Sequence, residues 1–171
     1  MSGNFVFGDY IEALLVNYNI KCTELTITTL SLNQENVDSL TMLMEKGYID
    51  KLNIVLSIYF YGHERNNLMP YIYDKLDIDN RFQLAIASIH TKTVQMYTLG
   101  GKKVVIHGSA NLRSSGNIEQ FTVEINDELY DFYQDMSENI LEKYKTINHS
   151  KKKSIRDKEL WETINRKRFL I

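Results

Sequence analysis

The chain is expected to fold as an α/β domain, with a mixed, mostly parallel central sheet flanked by helices and a basic C-terminal helical tail. Three observations predict it. Runs of β-forming residues alternate with stretches of helical periodicity as far as Tyr97, and parallel neighbours need crossover connections of that kind. A glycine pair then separates two further β-type runs, as in a hairpin. The charge is also divided: residues 1–142 carry 10 Lys/Arg against 19 Asp/Glu, whereas residues 143–171 carry 10 against 3. The body is therefore drawn as residues 1–142, and residues 143–171 as a basic linker and helical tail.

Tyr10, Ile11, Leu14, Leu15 and Tyr18 fall at helical spacing, with Asp9 as N-cap, and predict a first helix. Lys21 to Leu32 alternates as a strand. Asn33, Asn36 and Asp38 open a second helix that runs to Lys46 and is closed by Gly47. Lys51 to Tyr61 is a continuous run of β-formers, as in a strand covered on both faces, and Asn66 to Leu76 reads as a helix. Phe82 to Tyr97 reads as one more strand. Thr91 to Leu99 and Lys102 to Ile106 flank Gly100 and Gly101 as a hairpin, Ile118 to Ile125 adds a strand, and Asp127 to Tyr144 is a long amphipathic helix. Thr146 to Lys153 reads as a linker, and Asp157 to Arg168 as a short basic helix.

With 171 residues, the chain has the size of one domain. At 43% hydrophobic and 25% charged residues it has an ordinary globular composition, which excludes disorder throughout. Its one cysteine, Cys22, excludes an internal disulfide and a thiolate zinc site, and fits a reducing compartment. The first residues lack a basic segment and an apolar run, so they do not read as a signal peptide. No apolar stretch approaches the ~18 residues of a membrane span. A cytoplasmic protein without a membrane partner is expected.

Three motif fragments fail. His63-Glu64 lacks the second histidine of a zinc-protease motif, since Asn67 holds that position. Asp77 and Asp79 begin like a calcium loop, but Phe82 and Ser88 stand where glycine and glutamate are required. Gly100-Gly101-Lys102 has neither the upstream glycine nor the Ser/Thr of a phosphate loop. No metal and no cofactor is expected.

What holds together is His90-x-Lys92, then Gly108-Ser109-x-Asn111, then Glu119. Residues at i and i+2 share a face of a strand, so His90 and Lys92 would point one way, as would Ser109 and Asn111. An imidazole can attack phosphorus, while an ammonium and an amide hold the non-bridging oxygens in the transition state. Ser109 and Glu119 could fix the imidazole's tautomer and orientation. Lys102, Lys103 and Arg113 are the nearby cations that could touch a phosphate backbone.

This HxK, GSxN and glutamate series resembles the phospholipase D superfamily, and the order of elements over residues 1–142 is similar to its layout. The resemblance implies His90 as nucleophile, Lys92 and Asn111 as phosphate clamps, and Ser109 and Glu119 in support. It also implies a homodimer, because the family sets two HxK histidines face to face and this chain has one usable copy. His149-Ser150-Lys151 spells HxK within a lysine run, without a GSxN after it. The family's usual aspartate, five positions after the lysine, is Tyr97 here.

Short members of this kind are mostly nucleases, so the resemblance implies a metal-independent phosphodiesterase acting on nucleic acid, DNA more than RNA, through a phosphohistidine. Two alternatives stand beside it. One is a catalytically degenerate relative that binds nucleic acid or serves assembly; the other is a phospholipid hydrolase. The basic tail reads either as a nucleic-acid contact or as a complement to the acidic body.

Overall fold

The structure is a computed structural model, and it describes residues 6–113 and 118–147. Helix α1 (Phe7–Asn17) leads into β1 (Cys22–Thr29), α2 (Gln34–Glu45) and β2 (Ile49–Ser57). Two short helices follow, α3 (Ile58–Glu64) and α4 (Leu68–Leu76), and then β3 (Phe82–Ala87). The second half is β4 (Thr93–Thr98), β5 (Lys103–Gly108), β6 (Phe121–Ile125) and α5 (Asp127–Tyr144). The six strands form one sheet in the order β3-β2-β1-β4-β5-β6. β1, β2 and β3 pair in parallel, and β4, β5 and β6 continue the sheet as an antiparallel meander, so β1, β2, β3 and β5 share one direction.

The alternation of each strand divides the sheet into two unlike faces. Leu25, Ile27, Leu52, Ile54, Leu56, Leu84, Ile86, Val94, Met96 and Ile106 are buried in the main core, under α1, α2 and α4. The opposite face is covered by α5 and is far more polar: Thr26, Thr28, Asn53, Ser57, Thr93 and Gln95 are all buried. The apolar cluster beside α5 comprises Val55, Ala85, Ala87 and Leu141. The main hydrophobic driving force therefore lies on the first face.

Local signals explain most boundaries. Asn33 caps α2 and forms a reciprocal capping box with Asn36, and Asn126 caps α5 through the backbone N–H of Leu129. Gly47 adopts φ +72° where α2 ends, and Gly101 adopts φ +77° in the hairpin turn, both in the left-handed region that glycine reaches without a Cβ clash.

Four expectations are corrected. Val6, not Asp9, holds the N-cap of α1. The run Lys51 to Tyr61 is not one strand, because Ser57 ends β2 and its hydroxyl accepts from Tyr59 N–H, starting α3. Phe82 to Tyr97 is two strands, β3 at one edge of the sheet and β4 beside β1 in its interior. Thr146 and Ile147 do not begin a linker: Lys145 bridges Ala85, Thr146 N–H donates to Leu84 O at 2.7 Å, and Ile147 is buried. The expected basic helix at Asp157 to Arg168, and most of the basic tail, lie outside the described residues. Among those residues no helix is long and apolar enough to cross a membrane.

Candidate phosphate site at the carboxyl end of the sheet

The connection from β3 to β4 must cross the ends of β2 and β1, a distance of three strand spacings, about 14 Å. Residues 88–92 make that crossing, and an extended chain of this length reaches about 20 Å, so the path is nearly direct. His90, at its midpoint, therefore stands over the carboxyl ends of the parallel strands. That is where open α/β sheets hold ligands, at the point where the strand order reverses. Here the reversal falls at β1, which has β2 on one side and β4 on the other.

His90 is exposed and Lys92 half-buried. Lys92 Nζ lies 3.4 Å from His90 Nδ1 and 3.2 Å from the carbonyl oxygen of His90. An ammonium can only donate, so Nδ1 is the acceptor in this contact. The expected i, i+2 relation on a strand is corrected, because both residues precede β4 and are brought together by the loop.

The second motif meets the first at the open end of the hairpin. Gly108 N–H donates to Lys92 O at 3.3 Å, next to the Thr93–His107 pair of the β4–β5 ladder. Ser109 donates its hydroxyl proton to Glu119 Oε2 and accepts from Gln120 N–H at 3.0 Å. The hydroxyl thus fixes Glu119 and the lead into β6. Asn111 Oδ1 accepts from Leu30 N–H at 3.2 Å, just past the end of β1. With its oxygen so held, the amide of Asn111 offers NH₂ as the donor for a ligand.

The structure therefore gathers His90 and Lys92 from one loop, and Ser109, Asn111 and Glu119 from the next, at one end of the sheet. Arg113 is exposed at the same end, directly after Leu112. Lys102 and Lys103 are not brought to that end of the sheet. They flank the Gly100-Gly101 turn at the far end of β5, about one strand length of 17 Å away. Lys103 Nζ is held by Asp131 at 2.5 Å and lies 5.5 Å from the centre of the Tyr130 ring, and the Asp131 hydrogen bond raises its pKa. Thr28 and Thr29, both buried at the end of β1, lie outside the motifs, and their one sequence signal is their place at the end of an alternating strand.

His107 belongs to a different face. Its Nε2 is 2.9 Å from Glu124 Oε1, and its ring is 6.0 Å from that of Tyr133 on α5. The hydrogen bond from His107 lowers the Glu124 pKa below its ordinary 4.5. A carboxylate with a depressed folded-state pKa stabilises the fold above its unfolded value and loses that contribution as pH falls through the folded one. His107→Gln is accordingly expected to move Glu124 back up in a carbon-detected NMR titration and to reduce the loss of stability below pH 4.5. An unmoved Glu124 titration would refute the pairing.

No family model and no curated protein matches the chain. Among solved structures it is similar to the polyphosphate kinase of Porphyromonas gingivalis, with a TM-score of 0.57 and 16% identity over 80% of this chain and 24% of that one. This likeness is one of fold alone. The chain spans about a quarter of that enzyme's length. A weaker likeness links it to TrmBL2, an archaeal chromatin protein, with a TM-score of 0.49 and 10% identity over 78% of this chain and 50% of that one.

Proposed function

We propose that the protein is a metal-independent phosphodiesterase that cleaves nucleic acid through a phosphohistidine at His90. The observation that carries this reading is the meeting of the imidazole–ammonium pair His90–Lys92 with the Gly108–Asn111 loop, marked by the Gly108 N–H to Lys92 O bond. On a phospholipase D-like fold, this is a set of groups suited to attack on, and charge stabilisation of, the singly ionised phosphorus centre of a phosphodiester.

In this reading an arriving phosphodiester draws Lys92 Nζ off His90, since a 3.4 Å contact is long and weak beside a charge-assisted bond to phosphate. The imidazole proton then moves to Nδ1 through solvent, and the freed Nε2 lone pair attacks phosphorus. An Nε2–P bond forms and the bond from phosphorus to the leaving oxygen breaks. Lys92 and the Asn111 amide carry the negative charge of the non-bridging oxygens. A second imidazole protonates the leaving oxygen and then deprotonates the water that hydrolyses the phosphohistidine.

That second imidazole is His90 of a second copy, so the working form is a two-fold homodimer with both loops at the interface. The test is cleavage of supercoiled plasmid and of end-labelled DNA and RNA oligonucleotides in excess EDTA, with protein quenched in alkaline denaturant examined for an alkali-stable, acid-labile phosphoryl label on His90. Turnover with the label supports the reading. Nucleic-acid binding without turnover or label overturns it in favour of a non-catalytic phosphate-binding relative, and headgroup release from phospholipid overturns its substrate.

A further inference from the structure

The end of β1 is built unlike the rest of the strand. Thr28 and Thr29 are consecutive, 2% and 1% exposed, and point to opposite faces of the sheet. Each hydroxyl accepts a backbone N–H from the residue directly after a motif residue. Thr28 Oγ1 accepts from Thr93 N–H at 3.0 Å, immediately after Lys92. Thr29 Oγ1 accepts from Leu112 N–H at 3.3 Å, immediately after Asn111, and donates to Ser31 O at 3.0 Å. The next residue, Leu30, gives its own N–H to Asn111 Oδ1.

We infer that Thr28, Thr29 and Leu30 form a clip that sets the spacing between His90–Lys92 and Asn111, and that the two threonines are positioning residues for phosphate. This inference deepens the phosphodiesterase reading and rests on it. The reason for threonine is chemical. Valine has nearly the same shape and packs as well in a strand, but it offers no acceptor to a loop N–H. Thr93 opens β4 opposite Thr28 in the β1–β4 pair, whereas Leu112 lies in the loop after β5, so the two N–H groups reach the end of β1 from different segments. A hydroxyl on each face lets one strand hold both loops.

Thr28 is further locked from the α5 side. Its hydroxyl is 2.6 Å from that of Thr93, which accepts from Gln95 Nε2 at 2.6 Å, and Gln95 Oε1 accepts from Ser137 Oγ at 3.5 Å. The first loop is therefore tied to the sheet and, through Gln95, to α5.

The test compares wild type with Thr28→Val, Thr29→Val, the double variant, and Thr28→Ser/Thr29→Ser, which keeps both hydroxyls. Amide hydrogen exchange is expected to accelerate selectively at Thr93 in Thr28→Val and at Leu112 in Thr29→Val, while the core strands keep their protection. Cleavage in EDTA by the double variant is expected to lose on the order of 100-fold in kcat with a much smaller change in KM, and the serine pair to recover most of it. Unchanged exchange at both amides, or wild-type kcat in the double variant, would overturn the clip. If wild type itself does not cleave, the phosphodiesterase reading fails on that result alone. The clip is then judged by exchange, and by whether inorganic phosphate shifts the Asn111 side-chain NMR signals less in the double variant than in wild type.

Discussion

Gly108→Ala is expected to unfold the site end of the sheet and to lower the thermal midpoint by roughly 10 °C, the equivalent of about 3 kcal/mol in a chain of this size. A Cβ built on Gly108 would lie 2.1 Å from the carbonyl oxygen of Gln120 and 2.6 Å from Phe121 Cα. Both are backbone atoms, so no side-chain rotation relieves the clash. Gly108 and Phe121 are the last pair of the β5–β6 ladder, and the next residues are joined by Ser109 N–H to Gln120 O at 2.8 Å. Forcing β6 away therefore moves Gln120, and with it Glu119, off Ser109. The matched control is Gly100→Ala, where a Cβ meets only Thr98 Oγ1, at 3.9 Å, and little change is expected. Calorimetry of the two variants decides the matter. A Gly108→Ala protein that melts with wild type would show that β6 can shift freely.

His90→Ala should separate chemistry from stability. The side chain is exposed and its partner is the flexible end of Lys92, so stability should stay within about 0.5 kcal/mol of wild type. Cleavage in EDTA should fall by at least about 10⁴-fold, because the residue that forms the covalent intermediate is gone. Lys92→Ala removes a charge on the non-bridging oxygens and should cost about 10²–10³-fold in kcat. Cleavage that survives in His90→Ala would refute a phosphohistidine at this position, whatever the behaviour of Lys92→Ala.

The parts of this fold that could be read from the sequence are those governed by local chemistry. Asn33 and Gly47 mark the two ends of α2, Gly100 and Gly101 mark the hairpin, and the apolar stripe of α5 gives its length. The division of Phe82 to Tyr97 could not be read, because Ser88 to Lys92 contains neither glycine nor proline and suits an extended chain. What breaks the run is tertiary: β3 takes the edge beside β2, while β4 pairs with β1 and stands three places from β3 in the sheet. The same fact explains the site. Histidine and lysine at i, i+2 were legible as a motif, but their placement depends on a crossing whose endpoints only the topology fixes. Lys102 and Lys103 illustrate the converse, since closeness in sequence to Ser109 becomes a full strand length in space.

The unequal faces of the sheet carry a consequence for how the molecule comes apart. On the side of α1, α2 and α4 the layers are joined by many large aliphatic side chains, whereas α5 sits on Val55, alanines, threonines and amides with Leu141 as its buried leucine. Removing α5 from water-excluding contact costs far less hydrocarbon burial than removing α2. Helix α5 is thus the natural first unit to detach in partial unfolding, and its departure would release Gln95 from Ser137 while the rest of the sheet stays assembled.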